Sequence, residues 1–245
     1  MTPQVVVAFV LCTALQWLPW DTHAQTFDEG ASSYQQGDYP QAIRIVRMLA
    51  AQGDAQAQNT LGMMHDNGQG VERDYVQALI WYRLAAAQGH DGALYNIGVM
   101  YESGHGVAQN DAEALKWYLL AAAQGHSVAQ YNLGGMYLYG YGTKKNALEA
   151  FKWYRLAASQ GDLQAQHNLG LMYARGQGIP RNTLRALMWL SIAEMLGEPA
   201  AADSVADLSR TMRPDDIAIA REMARTCLEN EFRSCGQNVP TLSEK

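Results

Sequence analysis

Residues 127–162 read SVAQYNLGGMYLYGYGTKKNALEAFKWYRLAASQGD, and this stretch decides the fold. Slid along the chain in steps of 36 residues, it falls into register without a gap on 55–90, 91–126 and 163–198. The agreement is by position. Gly134 aligns with Gly62, Gly98 and Gly170, and Trp153 aligns with Trp81, Trp117 and Trp189. Gly53, Gly89, Gly125, Gly161 and Gly197 form a further column, and Gly68, Gly104, Gly140 and Gly176 another. A period of this length implies stacked supersecondary units, none of which can bury its apolar face alone.

Each unit reads as two helices. In 91–126, Ala93, Ile97, Met100 and Tyr101 recur at helical spacing and give helix A one apolar face. Gly98 beside them leaves room for a neighbouring helix, and Gly104 suits the left-handed residue that closes a last turn. Helix B should start at the column Asp38, Asp74, Asn110, Asn146 and Asn182, whose side chains can accept from first-turn amides. It carries Ala78, Trp81, Tyr82 and Ala85 and their equivalents, large rings alternating with alanines, which we assign to the hairpin core. Glu113 with Lys116 and Glu149 with Lys152 sit three apart on its solvated side.

Around this array the ends differ. Val5 to Leu18 is apolar but too short to cross a bilayer comfortably, and Thr22-His23-Ala24 offers small residues for cleavage. We read 1–24 as a signal peptide, with an uncleaved anchor as the alternative, and place the mature chain in the periplasm or outside the cell. That compartment lets disulfides persist, and the two remaining cysteines, Cys227 and Cys235, fit one bridge. Residues 25–54 read as an N-terminal capping hairpin with Ile45 in the tryptophan column, 199–236 as a C-terminal capping hairpin, and 237–245 as a tail. Pro214, followed by Asp215 and Asp216, suits the first turn of a helix.

The pattern Ala-Gln-Tyr-Asn-Leu-Gly-x-Met-Tyr at 129–137, with Ala-x-x-Trp-Tyr-x-x-Ala-Ala-x-Gln-Gly at 150–161, resembles the Sel-one-like repeat (SLR), a relative of the tetratricopeptide repeat. The resemblance covers four units over 55–198. It implies an all-α fold, a right-handed superhelical solenoid of antiparallel helical hairpins, used as an adaptor for other proteins. Unlike cysteine-rich relatives, no complete repeat here contains cysteine, so packing alone must hold the array.

In tetratricopeptide relatives helix A lines the concave surface. Counting 100° per residue from Leu61 puts positions 59, 63 and 66 on the side away from the core. The columns they head give Asn59, Tyr95, Tyr131 and His167; then Met63, Val99 and Leu171; then Asp66 and Glu102. Asn96, Asn132 and Asn168 border this face, and Tyr139 and Arg175 stand at its edge. These residues are the candidate contacts for a protein or peptide partner, through stacking and backbone hydrogen bonds. For the asparagines an equal alternative is that they only satisfy groups between helices.

A formal net charge of −6 argues against nucleic acid as partner. The chain lacks His-Glu-x-x-His, Gly-x-Ser-x-Gly and Ser-x-x-Lys, and pairs such as Gly104 and Gly106 lack the lysine of a phosphate loop. His90 and His126 share a repeat column at helix junctions and read as structural. We therefore expect no catalytic residue, metal or cofactor. The competing readings are a hydrolase acting on cell-wall material or a beta-lactam, and a spacer that binds nothing specific.

Overall fold

The computed structural model describes residues 26–233 and 235, and all regular elements among them are helices. The expected signal segment and the tail at 237–245 lie outside the described residues. The order is α1 (Phe27–Gln35), α2 (Tyr39–Ala51), α3 (Ala55–Asn67), α4 (Tyr75–Ala87), α5 (Asp91–Ser103) and α6 (Asp111–Ala123). It continues with α7 (Ser127–Tyr139), α8 (Ala147–Ala158), α9 (Leu163–Arg175), α10 (Thr183–Met195), α11 (Ala201–Ser209) and α12 (Pro214–Glu229). From α1 to α10 the helices pair as antiparallel hairpins, and the second helix of each pair packs on the first helix of the next. The result is a solenoid in which α3, α5, α7 and α9 are the A helices and α4, α6, α8 and α10 the B helices.

Local chemistry sets the boundaries. All five Asp or Asn residues expected to open the second helices do so, each accepting a first-turn amide. The A helices are capped by the column in which His90 and His126 recur: Asp54, His90, His126 and Asp162 accept from the amide three residues on. Histidine acts here through Nδ1, at 3.1 Å from the Ala93 nitrogen and 3.2 Å from that of Ala129. Each A helix ends on a left-handed glycine, as expected for Gly104, whose φ is 74°.

In three of the hairpins the core rests on a glycine and a tyrosine, and in the last repeat Leu190 takes the place of the ring against Gly170. A Cβ placed on Gly98 would lie 2.6 Å from ring carbons of Tyr118, and Gly62 and Gly134 meet Tyr82 and Tyr154 in the same way. The hydrogen side chain is what lets helix A approach the ring of helix B. The three tyrosines are buried, whereas Trp81, Trp117 and Trp153 are half-buried and pack at the margins of the core clusters. Assigning both rings to the hairpin core thus needs correction: tyrosine fills the hairpin and tryptophan seals its side. Only Trp189, at 4% exposure, is engulfed.

Buried glutamines tie one hairpin to the next. The amides of Gln58, Gln130 and Gln166 donate to the carbonyls of Ala50, Ala122 and Ala158, at the ends of the preceding B helices. Gln88 and Gln160 then donate to the oxygens of Gln58 and Gln130, both at 2.8 Å. In the last unit the corresponding position is Leu196, and Gln166 Oε1 is buried without a partner.

The C-terminal end departs from the expected hairpin. Helices α11 and α12 pack chiefly on α10 rather than on each other. Helix α10 is apolar all round, with Ala186 to Ala193 buried without a break, so one hairpin partner cannot cover it. Its outer face takes α12, which begins at Pro214 with Asp215 and Asp216 in its first turn. The Cys227–Cys235 bridge is formed, with Cα atoms 5.0 Å apart.

Candidate peptide-binding face

Residues counted onto the outer side of helix A make polar contacts between neighbouring units. Asn96 Nδ2 donates to Asn59 Oδ1 at 3.1 Å, a contact spanning 37 residues. One unit on, Asn132 lies near the hydroxyls of Tyr95 and Tyr118, where its amide opposes the rise in their pKa values that burial causes. Asn168 does the same for Tyr131 and Tyr154. The last such contact is in the C-terminal cap, where His167 Nε2 lies 2.9 Å from Ser204 Oγ, again 37 residues apart. Asn96 thus satisfies a group between adjacent repeats, the second of the two roles weighed for the asparagines. Asn59 is part of this internal system too, only 6% exposed and with its amide 3.7 Å from Met63 Sδ.

The acidic column faces the same buried rings. Glu102 accepts from the Tyr118 hydroxyl at 2.6 Å and Asp66 from that of Tyr82 at 3.3 Å. Burial, reinforced by these carboxylates, pushes both phenols well above their ordinary range, so they stay protonated donors. Tyr95 stacks on His126, with ring centroids 4.7 Å apart, and tilts against Tyr118. Tyr131 tilts against Tyr154. Burial raises the Tyr95 and Tyr131 pKa values and lowers that of His126.

What remains open on this face is aromatic, apolar and, at Glu102 and Arg175, charged. Tyr95, Tyr131, Met63 and Val99 are half-buried, and Glu102 and Arg175 are exposed. Tyr139 is 56% exposed and pairs with Tyr141, itself 54% exposed, across 5.9 Å. Tyr141 was not picked out from sequence, because it lies in the loop beyond the helical count. His167 and Leu171 leave the proposed row: Ser204 holds the first, and the second packs with Val205 and Leu208 under α11. The cap occupies this end as a further repeat would.

Among the described residues no group of three or more His, Cys, Asp or Glu could hold a metal, and no helix is long and apolar enough to cross a membrane. The model of the Sel1 repeat matches residues 55–90, 92–126, 127–162 and 163–198, more than half the chain. The chain belongs to the Sel1 repeat family. This is a scaffold of repeats, not a catalytic fold, and such solenoids are typical protein-interaction modules.

Solved structures agree with this Sel1 array. A Sel1 repeat protein from Oxalobacter formigenes is 34% identical with a TM-score of 0.71, the match covering 82% of each chain. A protective antigen of uropathogenic Escherichia coli strains, displaying an SLR fold, is also 34% identical with a TM-score of 0.71. That match covers 86% of this chain and 49% of the antigen, so this chain spans about half the antigen's length. A sel1 repeat protein from Klebsiella pneumoniae subsp. pneumoniae, 24% identical with a TM-score of 0.50 over 76% of this chain and 92% of that one, shares the fold. No curated protein matches the chain.

Proposed function

We propose that this Sel1 array is a periplasmic or secreted scaffold that holds an extended segment of a partner protein along its helix A face. The observation that carries the reading is the pair Tyr95 and Tyr131, one repeat apart and half-buried, with Tyr95 stacked on His126 and Tyr131 tilted against Tyr154. Each phenol can donate its O–H to a backbone carbonyl of the partner. Because the rings are held by these ring contacts before any partner arrives, little side-chain entropy is lost on binding. Tyr139 and Tyr141 extend the aromatic surface at one edge, with Met63, Val99 and Glu102 beside it. The apolar stretch Val5 to Leu18 followed by Thr22-His23-Ala24, read as a signal peptide, supports export.

The test is affinity capture from an envelope fraction, using the wild-type chain and the Tyr95→Ala, Tyr131→Ala double variant as baits. A partner retained by the first and lost by the second, with helicity and melting temperature preserved, supports the reading. Equal retention by both baits removes the face assignment. Mass spectrometry of the exported chain tests the leader, with cleavage expected after Ala24.

A further inference from the structure

The loops that join helix A to helix B form one edge of the solenoid. A Cβ on Gly70, Gly106, Gly142 or Gly178 would meet the backbone of Tyr39, Tyr75, Asp111 or Ala147, so each loop rests on the first residue of the preceding second helix. Charge is spread unevenly along this edge. The first loop, 67–74, sets Glu72 and Asp74 against Arg73, and the second, 103–110, holds no lysine, arginine, aspartate or glutamate. The third, 139–146, carries Lys144 and Lys145, the fourth, 175–182, carries Arg175 and Arg181, and neither contains an acid.

These four cations stand close together in a protein of net charge −6. Ala147 directly follows the third loop, so its contact with Gly178 brings the third and fourth loops side by side. All four side chains are exposed, and none makes an ion pair or a side-chain hydrogen bond among the described residues. Aromatic surface lies among them. A Cβ on Gly140 would lie 2.8 Å from Lys145 Cγ, so the lysine stem runs against the backbone between Tyr139 and Tyr141, the exposed pair of rings. The equivalent positions elsewhere are Asn67, Ser103 and Arg175, then Gln69, His105 and Gln177, so the third loop alone holds two tyrosines. Asp111, touched through its backbone by Gly142, borders the patch, and Glu149 beyond it is held by Lys152.

We propose that the third and fourth loops dock an acidic, extended stretch of the partner protein. Its carboxylates meet the four cations, and its backbone lies on the Tyr139 and Tyr141 rings. This rests on the helix A reading, because Tyr139 and Arg175 stand at the edge of that face, and it gives the partner segment a direction. The acidic stretch lies over the last two repeats, away from Asp66 and Glu102 of the first two. A flat anionic membrane suits the edge less well, since it would meet Glu72, Asp74 and Asp111 along with the cations.

Fluorescence anisotropy of the full chain tests the surface with a labelled decapeptide alternating glutamate and glycine and with its glutamine counterpart, and co-sedimentation tests vesicles of phosphatidylglycerol. At about 20 mM salt the glutamate peptide is expected to bind at least about tenfold more tightly than the glutamine peptide, an advantage that shrinks as salt rises to about 200 mM. Lys144→Glu, Lys145→Glu should abolish that advantage. Arg44→Glu, Arg47→Glu, an equal change of charge on exposed residues of α2, should keep it. Should the lysine variant melt below wild type, Lys144→Gln, Lys145→Gln takes its place, with a loss of at least about threefold. Equal binding of the two peptides, no binding of either, the same loss in the lysine and arginine variants, or vesicle binding that the glutamate peptide fails to displace overturns the proposal. The helix A reading fails separately, through equal capture of the partner by wild type and the Tyr95→Ala, Tyr131→Ala variant, in which these loops are unchanged.

Discussion

Replacing Leu196 by glutamine should stabilise this protein, an outcome opposite to that of most substitutions. Gln88 and Gln160 occupy the same repeat position and donate to buried glutamine oxygens at 2.8 Å. In the last unit the acceptor, Gln166 Oε1, is buried and lacks a donor. The backbone is already suitable, since Leu196 has φ −89° and Gln88 has φ −94°, both at the end of a B helix. An unpaired buried oxygen costs about 1–3 kcal/mol, and supplying its donor recovers part of that. Leu196 is 42% exposed, so some apolar contact is lost in exchange. The net gain expected is about 1 kcal/mol, which raises the melting temperature by roughly 2–4 °C in a chain of this size. Differential scanning calorimetry of Leu196→Gln, Gln166→Met and the double variant forms a cycle. A gain that persists in the Gln166→Met background, or no gain at all, would refute the assignment of the orphaned oxygen.

Gly98→Ala places a Cβ 2.6 Å from the Tyr118 ring and should lower stability by about 1–3 kcal/mol in urea titrations. Gly125→Ala meets no atom within 4 Å, so its cost comes only from a φ of 94°. Acidification should destabilise the array through His126, whose pKa burial holds below the ordinary 6.5. The folded state then binds protons less readily than the unfolded one. The stability His126 contributes is present above about pH 6.5 and lost as pH falls through its lower folded value. His65 and His167 are depressed by burial as well and act in the same direction. His126→Asp, the cap used at Asp54 and Asp162, should flatten the pH dependence of the melting temperature between about pH 7.5 and 5.5. Reducing Cys227–Cys235 should cost roughly 2–3 kcal/mol, read as a lower urea midpoint with a matched Cys227→Ala, Cys235→Ala control.

The helices, their caps and their pairing were legible because each hairpin is local in sequence. Asp74 and Asn110 sit beside the amides they cap, and Gly104 sits beside the turn it closes, so a period of 36 residues repeats the whole instruction. Angles along helix A follow from counting, but which of the counted residues stay open did not: Asn59 is 6% exposed, and α11 covers His167 and Leu171. The contacts between units were not legible either. That Asn96 reaches Asn59, that Ser204 meets His167, and that Gln88 reaches Gln58 depend on how closely neighbouring hairpins slide together.

The two histidines show the boundary between the levels. Their recurrence marks a structural column, but imidazole can donate, accept or lie idle, and only the fold places Nδ1 against an amide. The tryptophans show it again: ring size argues for burial, while the available depth is set by the Gly–Tyr approach, which seats tyrosine first. By itself, then, the sequence determined an array of capped helical hairpins, because that information is carried by neighbours along the chain. The tertiary structure alone decided which polar groups are spent between repeats and how α11 and α12 close the last one, because those contacts join residues that only stacking brings together.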